Sequence, residues 1–230
     1  MTADSVHTPT PTSAAPGAPA DPLVRSLPVA GGVYVLAWVL GLLLGPAAPD
    51  PTAPAADIQG FYVDNAGGVV LQSLLVHGLA GIALVLLALG FARALPNWPP
   101  EARWIRITGL AAATVSLVQV ALALIAVAVA GGAAASTSKA LFSAVNYADT
   151  VKLIVLASFA ITVTWAGTRA GALPTWVRGL GYLLVPLLIL GGLAFVIDNS
   201  VLYLILVASL FALLSWAAAT SWTLGRPRTS

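Results

Sequence analysis

The chain has 230 residues, of which 59% are hydrophobic and 8% charged, against roughly 25% charged in an average soluble protein. This balance excludes an ordinary soluble domain, because a lipid-facing helix is apolar on its outer side as well as its inner one. The absence of cysteine excludes disulfides, thiolate metal sites and iron–sulfur clusters.

The ten basic residues outnumber the eight acidic ones, but they stand at the ends of apolar stretches and form no patch. That distribution is typical of membrane topology, so we predict a lipid bilayer as the environment and no nucleic-acid partner. The preference for arginine over lysine and the abundance of alanine are a bias that we associate with bacteria of high-GC genome.

Residues 1–24 contain five prolines among Thr, Ser and Ala, with too few large apolar groups to offset the entropy of ordering. We predict a disordered cytoplasmic tail. Arg25 is the only basic residue before the first apolar run, and that run is long enough to stay in the membrane, which argues against a secretory signal. A signal cleaved near Ala47 or Ala56 is the alternative.

Six apolar stretches follow, and each is long enough to cross a hydrocarbon core of roughly 30 Å as a helix. Helices are required because no water is present there to satisfy backbone groups. We therefore predict an all-α polytopic transmembrane bundle in one membrane domain over residues 25–224, with a short tail at 225–230. The predicted spans are 28–46, 69–92, 107–130, 150–168, 179–197 and 201–223.

The connecting segments indicate an orientation. Eight arginines fall on one side of the six-span arrangement, and only Lys139 and Lys152 fall on the other. Because basic residues mark the cytoplasmic side, both termini are predicted to be cytoplasmic, in the inner or cytoplasmic membrane. The arginines are Arg25, Arg93, Arg103, Arg106, Arg169, Arg178, Arg226 and Arg228.

Pro46 to Gly68 forms the one long outer loop, in which Phe61 and Tyr62 are predicted to sit at the level of the lipid headgroups. A corresponding inner belt of tryptophans is predicted at Trp98, Trp104, Trp176 and Trp222. We interpret these aromatic side chains as anchors, with no role in binding a ligand.

Polar side chains inside the spans are functional candidates by default. Counted along their helices, His77 lies about 12 Å below the outer boundary and Gln119 about 18 Å above the inner one, so the two share a depth. With Ser73 one turn away, they could form a proton path or bind a ligand. The alternative is an interhelical hydrogen bond worth about 1 kcal/mol.

Asp149 and Lys152 open the predicted fourth span at helical spacing. If Asp64 and Asp198 converge on them, an outer polar cluster results that could gate or recognise a polar ligand. Otherwise Asp149 favours the helix N-terminus and Lys152 extends to water. On this interpretation no acidic residue shares the depth of His77.

Small residues at Gly41 and Gly45, and the Pro186 interruption before Gly191 and Gly192, indicate close helix packing and a kink. A helix broken by proline and glycine can also mark a transporter site. The sequence contains no Gly-rich phosphate loop and no HExxH or GxSxG motif, so no catalytic residue, metal or cofactor is predicted.

The segment Arg169-Ala-Gly-Ala-Leu-Pro-Thr-Trp-Val-Arg-Gly-Leu-Gly181 resembles one found in many small integral membrane proteins of actinobacteria, a family of unknown function. The resemblance implies the helical architecture and no activity. Our leading hypothesis is a non-enzymatic regulator or partner of other membrane components, with a membrane-protein partner or a homo-oligomer as its assembly. The alternatives are a small-solute or ion transporter with a path near His77 and Gln119, and an intramembrane enzyme.

Overall fold

The computed structural model describes residues 21–95 and 99–226, and within them every regular element is a helix. Six helices are long and apolar enough to cross a membrane, which confirms the predicted fold class. We number them as spans one to six. They are Leu27–Leu44, Ala66–Ala94, Pro99–Ala130, Ala135–Arg169, Thr175–Leu193 and Ser200–Gly225.

The two predicted tails lie almost entirely outside the described residues, as do Trp98 and Arg228. The last residues assigned to the N-terminal tail are an exception, since Asp21 caps a helical turn at Pro22–Arg25. Its carboxylate accepts a hydrogen bond from the backbone N–H of Leu23 at 2.9 Å. Toward the C-terminus, span six continues to Gly225.

Spans three and four begin earlier than predicted, at Pro99 and Ala135. Both extensions contain polar residues that lower hydropathy without opposing a helix, and Pro99 and Glu101 suit a first helical turn. At 1.5 Å per residue the 35-residue fourth helix is about 52 Å long. It therefore extends beyond a hydrocarbon core of roughly 30 Å.

The six spans form a closed ring in which each packs against the next and the first packs against the second and the sixth. Three aromatic side chains from alternate spans fill its centre: Phe91, Phe159 and Trp216, with ring centroids 6.0 to 6.3 Å apart. The indole N–H of Trp216 donates to the Thr164 hydroxyl at 3.3 Å. The contact among the three aromatic rings joins spans two, four and six.

Alternation of the spans brings seven described arginines to one end of the bundle, which we call the arginine end. Ion pairs join its segments: Arg93 to Asp21 at 3.1 Å and Arg169 to Glu101 at 3.5 Å. Because the number of spans is even, the start of span one and the end of span six meet there, and Gly225 lies against Pro28.

A short helix, Ala55–Asp64, lies at the opposite end. It packs against the end of span three and the early part of span four, and we call this assembly the cap. Its own small core contains Ile58 and Tyr62, with Tyr62 edge-on to Phe142 of span four at 6.5 Å. Tyr62, predicted to sit at the level of the headgroups, is buried in this core, and burial raises its pKa to about 12.

Two polar side chains fix the cap to the bundle. The Gln59 amide donates to the carbonyls of Ala130 and Ala133 at 2.7 and 2.9 Å, where span three ends. The ammonium of Lys139 donates to the carbonyls of Pro51 and Ala53 at 2.5 and 2.9 Å. The loop after span one is therefore held down on span four.

Glycines allow neighbouring spans to pack closely, as the sequence predicts. A Cβ at Gly41 would collide with Val76 of span two, and one at Gly45 with Gln72. Gly191 lies similarly close to the backbone of Leu206 in span six. Spans one and two thus approach each other through small residues, as expected for helices packed in lipid.

We predict that Gly41→Leu lowers the thermal stability of the detergent-solubilised protein, because the new side chain would overlap Val76 in span two. Overpacking of this kind costs about 1–3 kcal/mol. Gly32→Leu is the matched control, since a Cβ there meets no atom within 4 Å. Equal melting temperatures for the two variants would contradict the described packing of spans one and two.

Candidate functional site

The side chain of Lys152 is buried inside the bundle, only 2% exposed. Span four begins at Ala135, so Lys152 lies more than four turns into the helix and cannot reach its end. Asp149 precedes it by one turn on the same face and is also buried. The fourth span therefore carries an ion pair into the bundle.

Three acceptors surround the Lys152 ammonium. It donates to Asp149 Oδ1 at 2.6 Å and to Gln119 Oε1 at 2.9 Å, and it lies 3.2 Å from His77 Nδ1. We call these four residues the Lys152 cluster. An ammonium has three hydrogens, and each has an acceptor here. His77 then accepts through Nδ1 and carries its own proton on Nε2, as neutral imidazole does.

Trp38 of span one completes the surroundings of Lys152. The ammonium lies 5.4 Å from the centroid of this ring, within range of a cation–π interaction. Gly41, one turn further along span one, permits the close approach to span two that brings Trp38 into place. The ammonium thus has neighbours from spans one, two and three as well as its own.

His77 lies in a distorted part of span two. Residues Leu74–Leu79 form a π-helical turn, in which backbone hydrogen bonds skip one residue more than in an α-helix. Such turns change the direction in which the following side chains point and are frequent at functional sites. The distortion coincides with the residue that contacts Lys152.

The depth of the Lys152 cluster can be counted along the helices from the arginine end. At 1.5 Å per residue, Lys152 lies about 26 Å from Arg169 and His77 about 24 Å from Arg93, while Gln119 lies about 20 Å from Arg106. In a hydrocarbon core of roughly 30 Å whose boundary follows these arginines, the cluster lies inside the membrane, nearer the cap.

The structure corrects the predicted outer cluster. Asp64 and Asp198 are exposed and do not approach Lys152, and Lys152 does not extend to water. The prediction that no acidic residue shares the depth of His77 was also wrong, because Asp149 does. Both errors follow from placing the start of span four at residue 150, when it lies at Ala135.

The predicted pair of His77 and Gln119 is brought together through Lys152. Ser73 is buried one turn from His77, but within the described part of the chain its hydroxyl makes no hydrogen bond to the Lys152 cluster. Trp38 was missed, since sequence gives no measure of how span one is rotated. A separate cleft of about 240 Å³ lies at the arginine end, lined by Ala92, Arg93, Pro99, Ala102 and Arg106.

In residues 21–95 and 99–226 no group of three or more His, Asp or Glu side chains could hold a metal ion. The Lys152 cluster contains one carboxylate and one imidazole beside an ammonium, whose charge would repel a cation. Groups of this kind can bind a proton and compensate one another's charge.

The chain matches no protein-family model, no curated protein and no solved structure. Six helices that are long and apolar enough to cross a membrane define it as an integral membrane protein.

We predict that Lys152→Met lowers the free energy of unfolding in detergent by about 3–5 kcal/mol, because Asp149 would be left as an unpaired buried carboxylate. The double variant Lys152→Met/Asp149→Asn should recover most of this loss, since it buries no charge. Chemical denaturation followed by tryptophan fluorescence measures both. A single variant as stable as the wild type would contradict the described ion pair.

Proposed function

We propose that this integral membrane protein is a transporter that moves a small solute together with protons, and that the Lys152 cluster binds the proton. One observation carries the proposal: the Lys152 ammonium lies inside the bundle with Asp149, His77 and Gln119 as its acceptors. Ionisable groups at such depth are rare in membrane proteins and mark ion pathways or proton relays.

Stability alone is a poor reason for this arrangement. Moving two charges out of water costs several kcal/mol for each ion, and well-packed apolar residues in place of a buried ion pair are often as stable or more so. The rest of the bundle already packs through glycines and the aromatic contact of Phe91, Phe159 and Trp216. A function that requires charge in the membrane explains the pair better.

The groups in contact are suited to exchanging a proton. Asp149, Lys152 and His77 all carry ionisable side chains, and Lys152 contacts both of the others. A proton taken up by one changes the charge felt by its neighbours at about 3 Å, where the Coulomb interaction is strong in a medium of low dielectric constant. The π-helical turn at His77 adds a part of span two whose backbone bonds can rearrange.

We place the arginine end in the cytoplasm, because cytoplasmic loops of membrane proteins carry an excess of Arg and Lys. Both termini are then cytoplasmic and the cap faces outward. A bacterial source and the cytoplasmic membrane are part of this proposal. The Lys152 cluster lies nearer the outer face in this orientation.

The hypothesis of a non-enzymatic regulator or partner of other membrane components stays a prediction, as do a homo-oligomer and membership of the actinobacterial family. A regulator that moves no solute would use the Lys152 cluster only to hold spans one to four together. The two hypotheses therefore differ in what the charges do once the protein is folded.

To test the proposal, purified protein is reconstituted into liposomes that contain the pH-sensitive dye pyranine and N-methylglucamine sulfate. Inward gradients of N-methylglucamine chloride or lactate, of potassium sulfate, or of glucose are then imposed. At least one gradient should change the luminal pH in wild-type liposomes and leave it unchanged with Lys152→Met/Asp149→Asn. The exposed Asp198→Asn is the control and should behave as wild type.

Luminal pH that stays constant under every gradient would overturn the proposed transport. So would an equal response from the charge-free double variant, because protons would then cross without the Lys152 cluster. Liposomes without protein give the leak of each solute, which matters most for lactate.

A further inference from the structure

We infer that the solute is a small monovalent anion, which takes the place of Asp149 beside Lys152 when Asp149 is protonated. This inference rests on the proposed function and names the substrate class of the same site. It follows from the hydrogen bonds of Lys152, from its single anionic partner and from the charge balance of the cluster.

The Lys152 ammonium has one anionic partner. This is Asp149, whereas Gln119, His77 in its neutral form and Trp38 are neutral. The neutral groups solvate the ammonium through hydrogen bonds and the face of an aromatic ring. Asp149 is thus the single counter-ion of Lys152 among these contacts.

An ammonium has no lone pair for a further proton, so within the ion pair a proton is taken up by the Asp149 carboxylate. The side chain of Asp149 is 11% exposed and that of Lys152 2%, so both lie largely within the bundle. Once Asp149 is neutral, Lys152 has lost its counter-ion in a medium of low dielectric constant, and another anion beside it restores the pairing.

The net charge of the cluster is the same before and after such an exchange. With Asp149 ionised and Lys152 charged, the cluster has no net charge. With Asp149 protonated and one monovalent anion on Lys152, it again has none. One proton and one anion therefore enter and leave together, with no net movement of charge across the membrane. While Lys152 keeps its proton, a cation or a neutral solute would leave the second state charged, and an anion is the solute that balances it.

The other groups near Lys152 do not disturb this balance. The charged or titratable side chains that contact it are Asp149 of its own span and His77 of span two. Spans one and three contribute Trp38 and Gln119, neither of which titrates in the physiological range. Spans five and six make no hydrogen bond or ion pair to Lys152 in the described part of the chain.

The inference is tested by rescue of stability, which needs no transport. Asp149→Asn has the shape of the protonated carboxyl and leaves the Lys152 charge unpaired, so this variant should melt at a lower temperature than the wild type in sulfate. Addition of chloride or lactate as N-methylglucamine salts should raise its melting temperature toward that of the wild type. The double variant Lys152→Met/Asp149→Asn should show no such rise, because it has no charge to compensate.

The same liposomes give the second readout. Inward chloride or lactate gradients should acidify the wild-type lumen, whereas potassium or glucose gradients should not. Uptake of labelled chloride or lactate should increase as external pH falls, by at most about tenfold per pH unit for one proton per anion. In Asp149→Asn liposomes, anion entry should be independent of pH and leave the luminal pH unchanged.

The outcomes separate the two proposals. Proton movement driven only by potassium or glucose would leave proton-linked transport standing and overturn the anion. The absence of any proton movement, together with anion rescue of Asp149→Asn, would overturn transport and keep the anion site. If neither chloride nor lactate raises the melting temperature of Asp149→Asn, the anion site is overturned.

Discussion

An ammonium group surrounded by hydrocarbon has to be neutralised and solvated by its immediate neighbours, and in this chain that requirement ties four of the six spans together. Lys152 of span four is paired with Asp149 one turn earlier, while spans one, two and three supply Trp38, His77 and Gln119. Each contact fixes the rotation of a helix about its own axis. The glycines, the π-helical turn and the early start of span four all serve to place these side chains.

The bundle is divided along its axis into layers of different chemistry. Phe91, Phe159 and Trp216 close the centre toward the arginine end, with Phe159 about 10 Å along span four from Lys152. The Lys152 cluster lies between this aromatic layer and the cap. Gln59 and Lys139 hold the cap on the ends of spans three and four through backbone carbonyls. A solute that crossed from one face to the other would have to pass both layers, so the proposed transport requires the spans to move.

Composition and hydropathy were sufficient to predict the six spans, because a lipid solvent constrains every residue of a spanning helix. Depth counted along neighbouring helices was sufficient to associate His77 with Gln119. The same counting misplaced Lys152, because hydropathy gave the fourth span too late a start. The buried positions Ser138, Phe142, Asp149, Lys152 and Leu156 repeat at helical spacing through the polar extension. Three of these five residues are polar or charged, so the apolar periodicity that identifies a buried helix face is weak in this segment and did not place Lys152 inside the bundle.

The position of Trp38 beside Lys152 and the packing of the cap could not be predicted from the sequence, for a different reason. Which face of span one meets span four depends on the ring closing against span six, a long-range arrangement that no local pattern encodes. Tyr62 is likewise buried by Phe142, a residue far along the chain. An aromatic residue at a membrane interface and one buried by a neighbouring helix can occur in the same local sequence. Local sequence therefore does not distinguish the two.

The Lys152 ammonium is held by the Asp149 carboxylate inside the bundle. The most direct test of this ion pair is solid-state NMR of the protein in lipid bilayers, labelled with ¹⁵N at lysine Nζ and ¹³C at aspartate Cγ. The chain has only Lys139 and Lys152, so dipolar dephasing can be assigned by comparison with Lys139→Arg. Strong dephasing of the Lys152 signal that disappears in Asp149→Asn is the result we expect. A Lys152 signal without dephasing would contradict the account.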